Sequence, residues 1–175
     1  MAVLVYDSLA GGLSANPIED LLHRTGRWGL TILLLTLAVT PLRRLTDWSL
    51  LMQFRRMVGL FAFFYLVLHF SVYAGLDQFF SLNAVWEDIS KRPFITLGFA
   101  SLVLLVPLAV TSSKGMIKRL GGKRWVRLHR LVYVAAVGGV IHFFWAVKAD
   151  TRDPVIYAIA LALLLGARLP IWRRG

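Results

Sequence analysis

The 175-residue chain contains no cysteine, so disulfides, iron–sulfur ligation and thiolate nucleophiles are all excluded, and the redox compartment is left open. Acids are scarce: nine Asp and Glu stand against 20 Lys and Arg, for a net charge of +11. Few of those acids fall inside the apolar runs, so no acid–base pair or nucleophile–base arrangement can be assembled there. There are no low-complexity tracts and no obvious internal repeat. A secretory signal peptide is also missing: MAVLVYDSLAGG lacks a basic leading region and breaks at Asp7.

What the chain has in excess is apolar sequence. Hydrophobic residues make up 58%, above the ~45–50% usual for soluble domains. They gather into five segments, at 28–42, 57–76, 94–111, 128–147 and 155–169. A spanning helix needs about 20 residues. The second, third and fourth segments meet this outright; the first and fifth need flanking residues with snorkelling Arg27, Arg43 or Arg168. The expectation is an all-α integral membrane bundle of about five transmembrane helices, a single domain over residues 1–175. Asn16 or Ser14 as N-cap, Pro17 at the first helical position and acids in the first turn predict a short helix running into the first segment. The stretch LDQFFSLNAVWEDISKRP is amphipathic and suits the membrane interface, with Trp86 at headgroup level.

The charge excess falls on alternate connections. Arg43, Arg44, Arg55 and Arg56 against Asp47 leave +3 between the first and second segments. Lys114, Lys118, Arg119, Lys123, Arg124, Arg127 and Arg130 give +7 between the third and fourth, and Arg168, Arg173 and Arg174 give +3 at the end. The intervening connections are neutral or −1. By the positive-inside rule the basic loops and the C-terminus face the cytoplasm. The positive charge is then a topology signal and contact with membrane lipid, and nucleic-acid binding is not needed to explain it.

On this topology His69 and His142 fall at similar depth, toward the outer ends of two parallel helices, while His129 lies near the cytoplasmic end. An ionisable group inside a membrane segment is costly and points to function. Zinc would call for further ligands close by. Two neutral imidazoles facing across an apolar, aromatic-lined gap suit the axial positions of a b-type haem iron. Phe63, Phe64, Tyr65, Phe70, Tyr73, Phe143, Phe144 and Trp145 are candidates to line the macrocycle. Arg55, Arg56, Arg127 and Arg130 are candidates to pair with propionates of a second, inner haem. Without a C-x-x-C-H motif, covalent attachment is excluded. His129 and His142 are 13 residues apart, about 20 Å along a helix but roughly 140° apart in rotation. Either a kink at Gly138–Gly139 or a frayed helix start at His129 would reconcile them. His129 reads equally as an iron ligand or as a cationic helix end; His23 reads as a cap or interfacial residue. A four-histidine, two-haem arrangement would place a further histidine near Arg55.

The ordered blocks GGLSANPIEDLLHRTGRWGL, LLTLAVTPLRRL, RRMVGLFAFFYLVLHFSVY, RPFITLGFASLVLLVPLAVTS and RWVRLHRLVYVAAVGGVIHFFWAVK resemble the bacterial MsrQ (YedZ) family, relatives of the ferric reductase-like transmembrane proteins. The resemblance implies haem-iron ligation by His69, His142 and His129, with one or two b haems, and FMN as an additional cofactor. It implies electron transfer from the quinone pool or a cytoplasmic flavin reductase to MsrP, a periplasmic molybdopterin protein that reduces methionine sulfoxide in damaged envelope proteins. It also implies a further transmembrane helix ahead of Gly11, where this sequence has only MAVLVYDSLA. Competing expectations are a stand-alone ferric reductase or oxidase, and a haem-free small transporter or membrane anchor. The former needs a flavin and nicotinamide domain, which no motif here supplies.

Overall fold

The computed structural model describes residues 16–147 and 150–168. Ser14, Lys148, Arg173, Arg174 and the stretch before Gly11 lie outside the described residues. Among the described residues the chain is helical, with no strand. In chain order the helices are α1 (Pro17–Thr46), α2 (Leu51–Val72), α3 (Leu82–Lys91), α4 (Pro93–Val110), α5 (Lys114–Leu120), α6 (Gly122–His129), α7 (Leu131–Ala146) and α8 (Arg152–Gly166), with a π-turn at Tyr73–Asp77 closing α2.

The start signals around residue 16 act as capping theory requires. The Asn16 side chain accepts from the Glu19 N–H and donates to the Glu19 carboxylate, Pro17 occupies N1, and Glu19 and Asp20 sit against the positive helix end. The expected short helix and the first apolar segment prove to be one 30-residue helix. α2 likewise begins earlier than its apolar run, so Arg55 and Arg56 belong to a helix rather than to the preceding loop. The amphipathic connection forms α3, capped by Ser81 on the Ala84 N–H, with Trp86 exposed.

Among the described residues, four helical stretches are long and apolar enough to cross a membrane: Pro17–Thr46, Leu51–Asp77, Pro93–Val110 and Gly122–Ala146. The fifth apolar segment is short, as its sequence suggested. α8 has 15 residues, about 22 Å at 1.5 Å per residue, which is short of a hydrocarbon core of about 30 Å. Helix α1 packs along α2 and α4 along α7, and α8 closes against α1 and α7. The core is a leucine and alanine seam in which Leu37, Ala62, Ala135 and Ala136 are essentially inaccessible. Outward faces are equally apolar, with Leu35, Phe61, Val134 and Leu163 more than half exposed. A helix apolar all round is matched to lipid rather than to water.

Small residues set the closest helix approaches. A Cβ at Gly29 of α1 would stand 2.7 Å from Leu66 of α2, and one at Gly138 of α7 would overlap the Ser101 hydroxyl of α4. The Gly138–Gly139 pair therefore serves packing. Helix α7 runs through it unbroken, and the irregularity lies at Arg130, between α6 and α7.

Proline placement explains how α8 is attached. Pro41 lies inside α1 and has no N–H to give to the carbonyl four residues earlier. That carbonyl, on Leu37, accepts instead from the Arg168 guanidinium, which also donates to the Tyr133 hydroxyl and lies over its ring. Arg168→Met should therefore lower stability by about 1–3 kcal/mol through an unsatisfied buried carbonyl. The loss should be smaller in a Pro41→Ala background, where the substituted alanine supplies the missing N–H. Thermal unfolding of the four proteins in one detergent gives that double-mutant cycle.

Candidate functional site

Helices α2 and α7 run in the same direction and end near one another. His69 lies one turn before the end of α2 and His142 one turn before the end of α7. Their rings face each other with centroids 6.2 Å apart and planes at 71°. An imidazole nitrogen bonds a metal at about 2.0–2.1 Å, so rings on opposite sides of one ion have centroids roughly 6–7 Å apart. The observed separation fits.

Each ring is held by a backbone carbonyl from the helix paired with its own. His69 Nδ1 is 3.0 Å from the carbonyl of Leu22 on α1, and His142 Nδ1 is 2.7 Å from the carbonyl of Phe94 on α4. A carbonyl only accepts, so both Nδ1 atoms carry the proton and both Nε2 atoms keep a lone pair. Metal-bound histidines characteristically donate their second ring nitrogen in this way, which fixes the tautomer and raises ligand basicity. The Thr25 hydroxyl adds a long contact of 3.4 Å to His69 Nδ1 while donating to the Leu21 carbonyl.

His129 stands apart, at the end of α6 and the opposite end of the bundle. Its Nε2 lies 3.1 Å from the Thr111 hydroxyl, whose own proton goes to the Pro107 carbonyl at 2.6 Å. Nε2 of His129 is therefore the donor, the reverse of the other two. Trp125, one turn earlier, stacks on His129 at 3.9 Å and donates its indole N–H to the Thr111 carbonyl. Arg55 of α2 lies within electrostatic range of His129. The structure thus brings His69 and His142 together and places His129 elsewhere. His23 is exposed on α1. Among the described residues no three His, Cys, Asp or Glu side chains converge on one point.

The aromatic expectations divide. Phe64, Phe144 and Trp145 are 42–55% exposed and face outward; Phe143 packs edge-on against Tyr157 of α8. Phe70 leans on Tyr73 and on Phe99. The ring stacked on His142 is Phe94, at 6.1 Å and 24°, a residue that sequence reasoning did not single out. Thr111 was also missed, and no local signal marks it; Trp125 could have been found from its i, i+4 spacing to His129. Of the basic candidates, Arg56, Arg127 and Arg130 are exposed and Arg55 is half-buried.

Known proteins share this sequence over most of its length. The description "Ferric reductase like transmembrane component" matches residues 25–140. A Rhodospirillum rubrum protein named "Protein-methionine-sulfoxide reductase heme-binding subunit MsrQ" is 58% identical over 95% of this chain and 80% of its own length. Proteins of the same name from Herminiimonas arsenicoxydans and Deinococcus radiodurans are 53% and 49% identical, each over 95% of this chain and over 77% and 82% of their own lengths. The chain belongs to the MsrQ family. No solved structure matches it.

Near the paired histidines this MsrQ-family chain is closed by α3. Asp88 accepts from Tyr73 at 3.0 Å and from Gln78 at 3.3 Å, and its other oxygen pairs with Arg92 Nε at 3.2 Å. One carboxylate thus ties α3 to the π-turn after His69 and to the residue preceding α4. Tyr73→Phe should remove a bond to a charged acceptor, a loss of about 1.5–3 kcal/mol. Amide hydrogen exchange should then accelerate across α3 before it does in α2 or α4.

Proposed function

We propose that the chain is a membrane b-type cytochrome subunit, a single haem-binding domain that carries electrons to a protein-methionine-sulfoxide reductase. The observation that carries this reading is the facing pair: two half-buried imidazoles at iron-spanning separation, both protonated at Nδ1 by the same kind of backbone contact and both free at Nε2. Its relatives' printed name supplies the same cofactor and reaction independently.

Haem held here would supply a reversible one-electron couple. The chain's own residues do the rest. His69 and His142 offer Nε2 from two separately packed helices, so the ligand set forms only in the folded bundle. Backbone carbonyls, which cannot ionise, hold the other ring nitrogens and keep both ligands strongly donating. Phe94 lies parallel to the His142 ring and helps fix its plane. The apolar bundle excludes water and keeps competing chemistry out.

His129 is assigned to a second, inner haem; because its Nε2 carries the proton toward the Thr111 hydroxyl, holding iron at that nitrogen would require the proton to move to Nδ1. Arg55 occupies the neighbourhood where a further histidine would complete that site. On this reading the positive-inside rule assigns the His129 end, beside the basic loops, to the cytoplasmic side of the inner membrane, the side of a flavin reductase donor, with quinol as the alternative donor. The His69 and His142 end then faces the periplasm and a molybdopterin acceptor of the MsrP type. FMN belongs to this reading as a family cofactor, with no residues assigned to it.

Purified protein should show a b-type spectrum that sharpens on dithionite reduction. His69→Ala and His142→Ala should each remove the outer haem's share of that spectrum, and Phe64→Ala should leave the whole intact. Pyridine haemochrome counting should fall from two haems per chain to one in His129→Ala. A colourless wild type that stays colourless after haem addition contradicts the reading.

A further inference from the structure

Helical carbonyls are ordinarily poor acceptors for a neighbouring helix. The C=O of residue i points along the axis at the N–H of residue i+4, and the side chain at i+4 stands beside it. In this chain the i+4 position is glycine at both carbonyls that hold an imidazole. Leu22 is followed by Gly26, and Phe94 by Gly98. Each glycine also lies against the imidazole itself. A Cβ at Gly26 would stand 3.0 Å from both Cε1 and Nδ1 of His69, and one at Gly98 would stand 2.7 Å from Nδ1 and 2.9 Å from Cε1 of His142. The histidines follow their glycines by 43 and 44 residues, on the helix paired with the glycine's own. The same three-part arrangement, carbonyl at i, glycine at i+4 and histidine across the helix pair, therefore arises twice from unrelated local sequence.

We propose that Gly26 and Gly98 are positioning residues for the two iron ligands: by lacking a side chain, each opens the carbonyl one turn before it to the imidazole Nδ1–H across the interface. This rests on the haem-ligand reading above and adds to it the residues that select the tautomer. A helix interior prefers alanine to glycine by about 1 kcal/mol, so glycine at these two positions stands against helix propensity. Packing alone asks less: Gly59 on α2 meets its neighbour Thr36 only at 3.4 Å.

The test reads the histidines directly. Protein labelled with 15N-histidine and free of haem is placed in nanodiscs, and long-range 1H–15N correlations report each ring's tautomer. Wild type should show His69 and His142 as the Nδ1–H form by roughly tenfold over Nε2–H, the ratio expected when one form alone makes the carbonyl bond. Gly26→Ala should reduce that preference several-fold at His69 only, and Gly98→Ala at His142 only. Gly59→Ala should change neither. In haem-loaded samples Gly26→Ala and Gly98→Ala should each show a raised midpoint potential, because a less basic imidazole stabilises ferric iron less; a purely structural role would lower Tm without moving the potential. The proposal is overturned by Nε2–H histidines in wild type, or by folded Gly26→Ala and Gly98→Ala proteins with unchanged tautomers and potentials. Should Gly98→Ala fail to fold, the wild-type tautomers and Gly26→Ala decide alone. A wild type that binds no haem while keeping the Nδ1–H tautomers would remove the ligand reading and leave the positioning result in place.

Discussion

Two hydrogen bonds, from His69 to the carbonyl of Leu22 and from His142 to that of Phe94, constrain everything around them. An imidazole set within an apolar bundle has two nitrogens to satisfy, and withdrawing polar groups from water without partners is expensive. Here the backbone satisfies one nitrogen of each ring and leaves the other without a protein partner of comparable quality. The remaining nitrogen is the group available to a cofactor. Because the acceptors lie on α1 and α4 while the rings lie on α2 and α7, the geometry of the two imidazoles is set by how two helix pairs pack, not by any loop.

That dependence gives meaning to features that otherwise look incidental. Lipid provides no hydrophobic force between helices, so close approach relies on small residues and specific polar contacts. Gly29 against Leu66 and Gly138 against Ser101 bring the pairs near enough for imidazole and carbonyl to meet. Pro41 frees a carbonyl that Arg168 uses to fasten the end of α8 across α1 and α7. Asp88 does the corresponding work at the other end of the bundle, holding α3 against the turn that follows His69. The two ends also differ in kind: His129 is engaged by a threonine hydroxyl and an indole, with a guanidinium nearby, whereas the paired histidines are held chiefly by backbone carbonyls, with Phe94 stacked on His142 and the long Thr25 contact and His23 near His69.

Much of this was legible from residue order. Apolar runs located the long helices, and membership of the MsrQ family followed from ordered blocks. Similar depth for His69 and His142 came from loop charge together with helix direction, two signals that need no tertiary information. What was not legible depended on side-chain direction and on backbone acceptors. Phe64, Phe144 and Trp145 are as aromatic as Phe94, and nothing in their spacing reveals that they turn outward. The break at Arg130 rather than at Gly138–Gly139 reflects a glycine pair used for helix contact, which sequence alone cannot tell from a kink. Helix α8 stops at Gly166, before its apolar run ends. Carbonyl acceptors carry no residue type at all; their only trace is a glycine four positions later.

The most direct test of the central claim is electron paramagnetic resonance of the oxidised, haem-loaded protein. Two imidazoles on one iron make it low-spin, and ring planes at 71° predict the strongly anisotropic low-spin signal of nearly perpendicular axial ligands. That signal, lost in His69→Ala and in His142→Ala, is the result this account predicts. Absence of that low-spin signal in wild type, or its survival in both substituted proteins, would contradict it.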